Sequence, residues 1–186
     1  LNNNFIGNRI SGIYILGANP IIMNNILYGN KNYGIWSDSR STMKIQYNAF
    51  WNNSEGNCFR CPADVLVINS VNENKDSTDS YFNMIADPLF QGSVSHKEAM
   101  KHDLSLHTDS NKVVDKKIAR MEYAYLKKAQ NKEKKDPEFK VLGKGDYLLT
   151  KYSKLVNAGH PNDIFYDRDG SVNDIGMHGG PLEEKR

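Results

Sequence analysis

Three stretches decide the fold: Asn3-Asn4-Phe5-Ile6-Gly7-Asn8, Asn25-Ile26-Leu27-Tyr28-Gly29-Asn30 and Asn48-Ala49-Phe50-Trp51-Asn52-Asn53. They repeat one unit, Asn-x-(Phe/Leu)-x-x-Asn, at steps of 22 and 23 residues. Gly12, Gly34 and Gly56 form a further column at steps of 22, usually followed by Ile. A two-helix repeat needs more than about 30 residues, so this period is too short for one. It suffices for three short strands joined by turns, one coil of a parallel β-helix. Coils stack at the inter-strand spacing of about 4.8 Å, which superposes equivalent positions. Asparagines in one column can then bond their own turn and the asparagine of the next coil. Glycine at a recurrent corner permits a positive φ or a close backbone approach.

Period-2 alternation assigns faces. With the ladder columns Asn3, Asn25, Asn48 and Asn8, Asn30, Asn53 inward, Phe5, Leu27 and Phe50 also point in, and Ile6, Tyr28 and Trp51 point out. By the same rule Ile13 and Ile35 point in, Tyr14 and Trp36 point out, and Ile22 with Ile45 supplies a third inner stack. Composition agrees, since 13 of the 22 asparagines lie in residues 1–57. The formal charge of +2 sums unlike regions: +2, −3, +4 and −1 for residues 1–57, 58–92, 93–143 and 144–186. So small a charge gives no reason to expect a nucleic-acid partner. No apolar run is long enough to span a membrane, and two cysteines cannot build a disulfide framework.

The chain resembles the C-terminal part of a right-handed parallel β-helix protein of the broad pectate-lyase-like superfamily, in its secreted or surface bacterial forms. The repeat carries the resemblance. Ala86-Asp87-Pro88-Leu89-Phe90, Asp146-Tyr147-Leu148-Leu149 and Leu155-Val156-Asn157-Ala158-Gly159-His160-Pro161 reinforce it, as does the close from Asp167 to Pro181. The implied fold is all-β: a right-handed, single-stranded parallel β-helix of 22- to 23-residue coils over residues 1–92. A Lys-rich α-helical insert is expected over 93–143, because Val114, Ile118, Met121 and Tyr125 fall at helical spacing. C-terminal strands and a solenoid cap are expected over 144–186. Leu1 opens inside a repeat with no cap before it, so the expectation is that more of the β-helix precedes it. The implied localisation is secreted, cell-surface or periplasmic.

The scaffold hosts lyases, hydrolases, adhesins and inert modules, so fold alone does not give activity. The outward aromatics Tyr14, Tyr28, Trp36 and Trp51, with Lys31 and Asp38 beside them, suit a polysaccharide, since rings cover sugar faces and polar neighbours fix hydroxyls. Asp167, Asp169, Asn173 and Asp174 surround Gly170 as part of a calcium loop would, although His178 stands where an EF-hand has its bidentate Glu. Calcium is the one candidate cofactor. Cys58 and Cys61 form a CxxC without a second metal-ligand pair, leaving a local disulfide or two quiet thiols. No catalytic residue can be assigned: residues 1–57 hold only Asp38 and Glu55 as acids, and the five histidines form no recognisable triad. The expectation is a structural or binding segment, non-catalytic in itself, toward glycans or neighbouring surface proteins. The alternatives are the C-terminal part of a polysaccharide lyase or related enzyme, and a subunit docking into a larger assembly through the insert.

Overall fold

The apolar triplets of the repeat become strands: β1 (Asn4–Ile6), β2 (Ile13–Ile15), β3 (Ile21–Met23), β4 (Ile26–Tyr28), β5 (Tyr33–Ser37), β6 (Lys44–Gln46), β7 (Ala49–Trp51) and β8 (Gly56–Phe59). The computed structural model describes residues 1–91 and 147–180. Within them the remaining strands are β9 (Ser70–Val71), β10 (Ser77–Thr78) and β11 (Met84–Ile85), and the regular helical structure is one 3-10 turn over Asp163–Phe165. The class is all-β. The expected helical insert at 93–143 lies outside the described residues.

Three parallel sheets are each visited once per repeat. The first has the order β1-β4-β7-β11, the second β2-β5-β8 and the third β3-β6; β9 and β10 form an antiparallel pair. Register follows the sequence period, with Asn4 opposite Ile26 and Ile26 opposite Ala49. The next step is longer, since Met84 lies opposite Ala49. The additional residues hold β9 and β10, and the Cys58–Cys61 disulfide spans the end of β8.

The chain divides into two compact units, Leu1–Pro88 with Ser153–Arg186, and Leu89–Tyr152. In the first unit the inner faces of the three sheets meet in one cluster of Ile15, Ile22, Leu27, Ile35, Ile45 and Phe50, with Phe5, Ile13, Cys58 and Cys61 packed against it. Burying such side chains contributes about 1.5–3 kcal/mol each, an upper bound for already compact unfolded chains. In the second unit the described residues include an antiparallel bridge between Phe90 and Leu149 and an edge-on contact of the Phe90 and Tyr147 rings.

Asparagine columns run alongside the apolar core. Asn48 Oδ1 accepts from both the backbone N–H and the Nδ2–H of Asn25, at 3.0 and 2.9 Å. Asn30 does the same for Asn8, and Asn53 for Asn30. The remaining amide proton of each goes to a backbone carbonyl, such as Ile22 O for Asn48 and Leu27 O for Asn53. A carboxamide fits because the position needs one acceptor and two donors, which neither Asp nor Leu provides.

The first column continues beyond the sequence period, from Asn48 to Asn83 at 3.0 Å, and ends on a carboxylate. Asp79, fully buried, accepts from the N–H groups of Leu66, Tyr81 and Asn83 and from Asn83 Nδ2. An acceptor-only group is the right terminus for a chain of donors, because it leaves no buried N–H over.

Every ladder asparagine follows a residue in the left-handed region. Asn2, Asn24, Tyr47 and Phe82 precede the first column, and Gly7, Gly29 and Asn52 the second, with φ between 52 and 62°. That reversal turns the next side chain inward. Gly and Asn adopt it readily, whereas Tyr and Phe lose about 1–2 kcal/mol each. The Gly12 and Gly34 column has a different cause. A Cβ at Gly12 would lie 2.8 Å from Gly34 O, and one at Gly34 2.7 Å from Asn57 O, so successive turns approach too closely for a side chain.

The C-terminal segment departs from the expectation of strands. Residues 153–180 form no strand and instead lie against the outer side of the first sheet. Gly176 N and His160 N donate to Asn24 O and Oδ1, and Met177 N donates to Asn4 Oδ1. A Cβ at Gly176 would meet Ile26 Cδ1 at 2.6 Å. Ile26, outward by alternation, is consequently 1% exposed, as buried as the inner core.

Candidate binding surface

The second sheet puts one outward ring on each of its strands. Tyr14 on β2 is register partner of Trp36 on β5, and Trp36 of Phe59 on β8. Tyr14 and Trp36 stack at 4.3 Å with planes 3° apart, and Trp36 and Phe59 at 5.8 Å and 15°. Parallel strands force this, since equivalent side chains leave the sheet side by side. The rings therefore cover one another's faces and present their rims. Tyr14, on the edge strand, is 55% exposed. The Arg60 guanidinium lies 5.3 Å from the Phe59 ring centre, a cation–π contact closing the far end of the column.

Tyr28 and Trp51 are also register partners, but on the first sheet. The four expected aromatics thus divide between two faces, Tyr14 with Trp36 and Tyr28 with Trp51. Tyr28 is half-buried, and burial, then the nearby Asp87 charge, raises the pKa of its phenol. Trp51 is exposed. Lys31 is exposed, with its backbone N–H on Asn8 O.

Asp38 has another occupation. Its carboxylate accepts from Ser41 Oγ, from the backbone N–H groups of Gly17 and Arg40, and from Arg40 Nε at 3.1 Å. The Ser41 bond foremost, with the Gly17 and Arg40 bonds adding to it, holds its pKa down at about 2. Asp38 staples the turn after β5 and has little capacity left for a ligand hydroxyl.

The acidic run is likewise turned onto its own backbone. Asp167 accepts from Asp174 N and Gly180 N, Asp169 from the N–H and Oγ of Ser171, and Asp174 from Asn157 N. Asn173 is fully buried, with both side-chain polar atoms unpartnered. Among the described residues no group of three or more His, Cys, Asp or Glu is placed to hold a metal ion. The run thus forms a hydrogen-bonded turn.

Of the two readings for Cys58 and Cys61, the structure has the disulfide. Phe59, between them, is not among the expected site residues, although its place in the Tyr14 and Trp36 column follows from the period. A second aromatic group carries no signal in the sequence. Tyr47 stacks on Phe82 at 5.0 Å and meets the His160 ring at 4.8 Å, and His160 meets Phe165 at 5.1 Å. Among the described residues no helix is long and apolar enough to cross a membrane. No family model, curated protein or solved structure matches the chain.

Proposed function

We propose that this chain is part of an extracytoplasmic, right-handed parallel β-helix of the pectate-lyase-like kind, serving a structural and polysaccharide-binding role without catalysis of its own. The stacked column Tyr14–Trp36–Phe59 carries the binding reading. A polymer lying along the column meets the ring rims and the exposed Tyr14, while the exposed Lys31 and neighbouring asparagines on the turns offer bonds to its hydroxyls. The three parallel sheets at a 22- to 23-residue step, with their asparagine columns, support the β-helix. The Cys58–Cys61 disulfide supports an oxidising compartment.

The test is titration of soluble polysaccharides, neutral and uronate-containing, against tryptophan fluorescence, with Trp36→Ala and Tyr14→Ala as variants. Saturable quenching that is lost in Tyr14→Ala, with the fold intact by circular dichroism, is expected. Equal affinity in wild type and both variants, measured by affinity electrophoresis, would remove the column as the binding surface. Release of unsaturated or reducing sugars by the chain would overturn the non-catalytic part.

A further inference from the structure

The column of left-handed corners contains an anomaly. Its first two positions are asparagines, Asn2 and Asn24, which tolerate the conformation; the next two are aromatic, Tyr47 and Phe82, which do not. The left-handed backbone serves the ladder at all four corners, and at the last two it also sets two aromatic rings side by side. Both rings wall a cavity of about 240 Å³, together with Asn72, Glu73, Pro161 and Val172.

The lining has a particular chemistry. Tyr47 and Phe82 lie 14° from parallel and, with Pro161 and Val172, give apolar surface. Glu73 is the one charged side chain in the lining among the described residues and supplies an acceptor. Burial, then the Glu73 charge, raises the Tyr47 phenol pKa, so its hydroxyl remains a donor.

Apolar ring surface beside a phenol donor and an exposed carboxylate acceptor matches a sugar ring, whose C–H face is apolar and whose rim carries hydroxyls. The volume is below the roughly 300–1,000 Å³ of pockets for drug-sized ligands, which favours one ring over a chain. Among the described residues the lining holds no cation, so Glu73 repels a sugar carboxylate.

We propose that this cavity binds a single neutral pyranose, packed on Tyr47 and Phe82 and hydrogen-bonded by Glu73 and the Tyr47 hydroxyl. The site is separate from the Tyr14–Trp36–Phe59 column and does not depend on it.

The test is a ¹H NMR titration of the full chain with methyl β-glucopyranoside and methyl β-galactopyranoside, with galacturonate as the anionic control. Saturable shifts of the Tyr47 and Phe82 ring protons are expected with at least one neutral glycoside, and binding of galacturonate roughly 10-fold weaker or more. Glu73→Gln should weaken the neutral sugar by roughly 10-fold, the loss of one charge-assisted hydrogen bond, and narrow the gap to galacturonate. Phe82→Leu, which keeps an apolar side chain, should weaken it similarly. Trp36→Ala should leave this titration unchanged while abolishing polymer binding, so the two readings fail separately. Absence of saturable shifts with both neutral glycosides overturns the proposal. So does unaltered affinity in Glu73→Gln and Phe82→Leu, or loss of pyranoside binding in folded Trp36→Ala.

Discussion

At the scale of the residue, Asn48 concentrates what the fold asks of a side chain. It is fully buried, accepts from Asn25 N and Nδ2, and donates to Ile22 O, Gln46 O and Asn83 Oδ1. Asn48→Ala leaves these groups unpaired out of reach of water, at about 4 kcal/mol in total. Asn8 is the contrast: exposed, it donates to Asn30 Oδ1 but holds no buried neighbour's donors. Asn8→Ala should cost about 1 kcal/mol, since water can replace the lost bond. Urea unfolding of the two variants tests this, and equal midpoints would mean the ladder bonds have no special weight. The columns themselves are legible, because 3, 25, 48 and 8, 30, 53 keep the period. Asn83 is not, because β9 and β10 lengthen its step and take it out of phase. Asp79 gives no signal either, since nothing in the sequence marks a carboxylate as the end of a carboxamide chain.

At the scale of the element, the turns rather than the three-residue strands carry the specification. Strands this short have little pairing energy of their own. Two glycines separate the reasons a turn can require one. Gly17 has φ +55° and open space where a Cβ would stand, so Gly17→Ala incurs only the left-handed penalty, about 1 kcal/mol. Gly34→Ala drives a methyl against Asn57 O at 2.7 Å, a backbone atom that cannot swing away, and should cost about 3 kcal/mol. Thermal unfolding should order the variants wild type, Gly17→Ala, Gly34→Ala; the reverse order would mean adjacent turns move apart easily. The disulfide acts on the same scale. Cys58 and Cys61 pack against the core cluster at the end of β8, where the regular period stops. So short a loop places its contribution at the low end, about 2 kcal/mol. Replacing both cysteines with serine should lower stability by that amount and make the unfolding midpoint indifferent to reductant. The sequence contains the CxxC but leaves disulfide and thiols equally open, since spacing alone does not set oxidation state.

At the scale of the whole molecule, the segment 153–180 holds the outside of the first sheet, and no periodicity points to that. Its sequence has short apolar runs broken by Gly, Asp and Pro, which read as strands, yet the backbone N–H groups of His160, Gly176 and Met177 go to Asn24 and Asn4. His160 is placed to make this hold depend on pH. Its N–H donates to Asn24 Oδ1, its Nδ1 accepts from Asn162 N at 3.1 Å, and its ring lies between Tyr47 and Phe165. Burial lowers its pKa below 6.5. The unfolded chain therefore takes up the proton first as pH falls. The stabilisation is complete above 6.5 and is lost as pH drops through the lower folded-state value. Asp38 and Asp169, also lowered, act in a separate window below 3.8. Amide hydrogen exchange between pH 7 and pH 5 resolves the first window. After correction for intrinsic rates, protection at Gly159, Ile175, Gly176 and Met177 should fall, while Asn25 and Asn48 on the ladder keep theirs. His160→Gln, which has no such proton to gain, should abolish the pH dependence and leave the ladder protected. If clamp and ladder amides lose protection together in the wild type, the segment is an inseparable part of the stack rather than a strap laid on it.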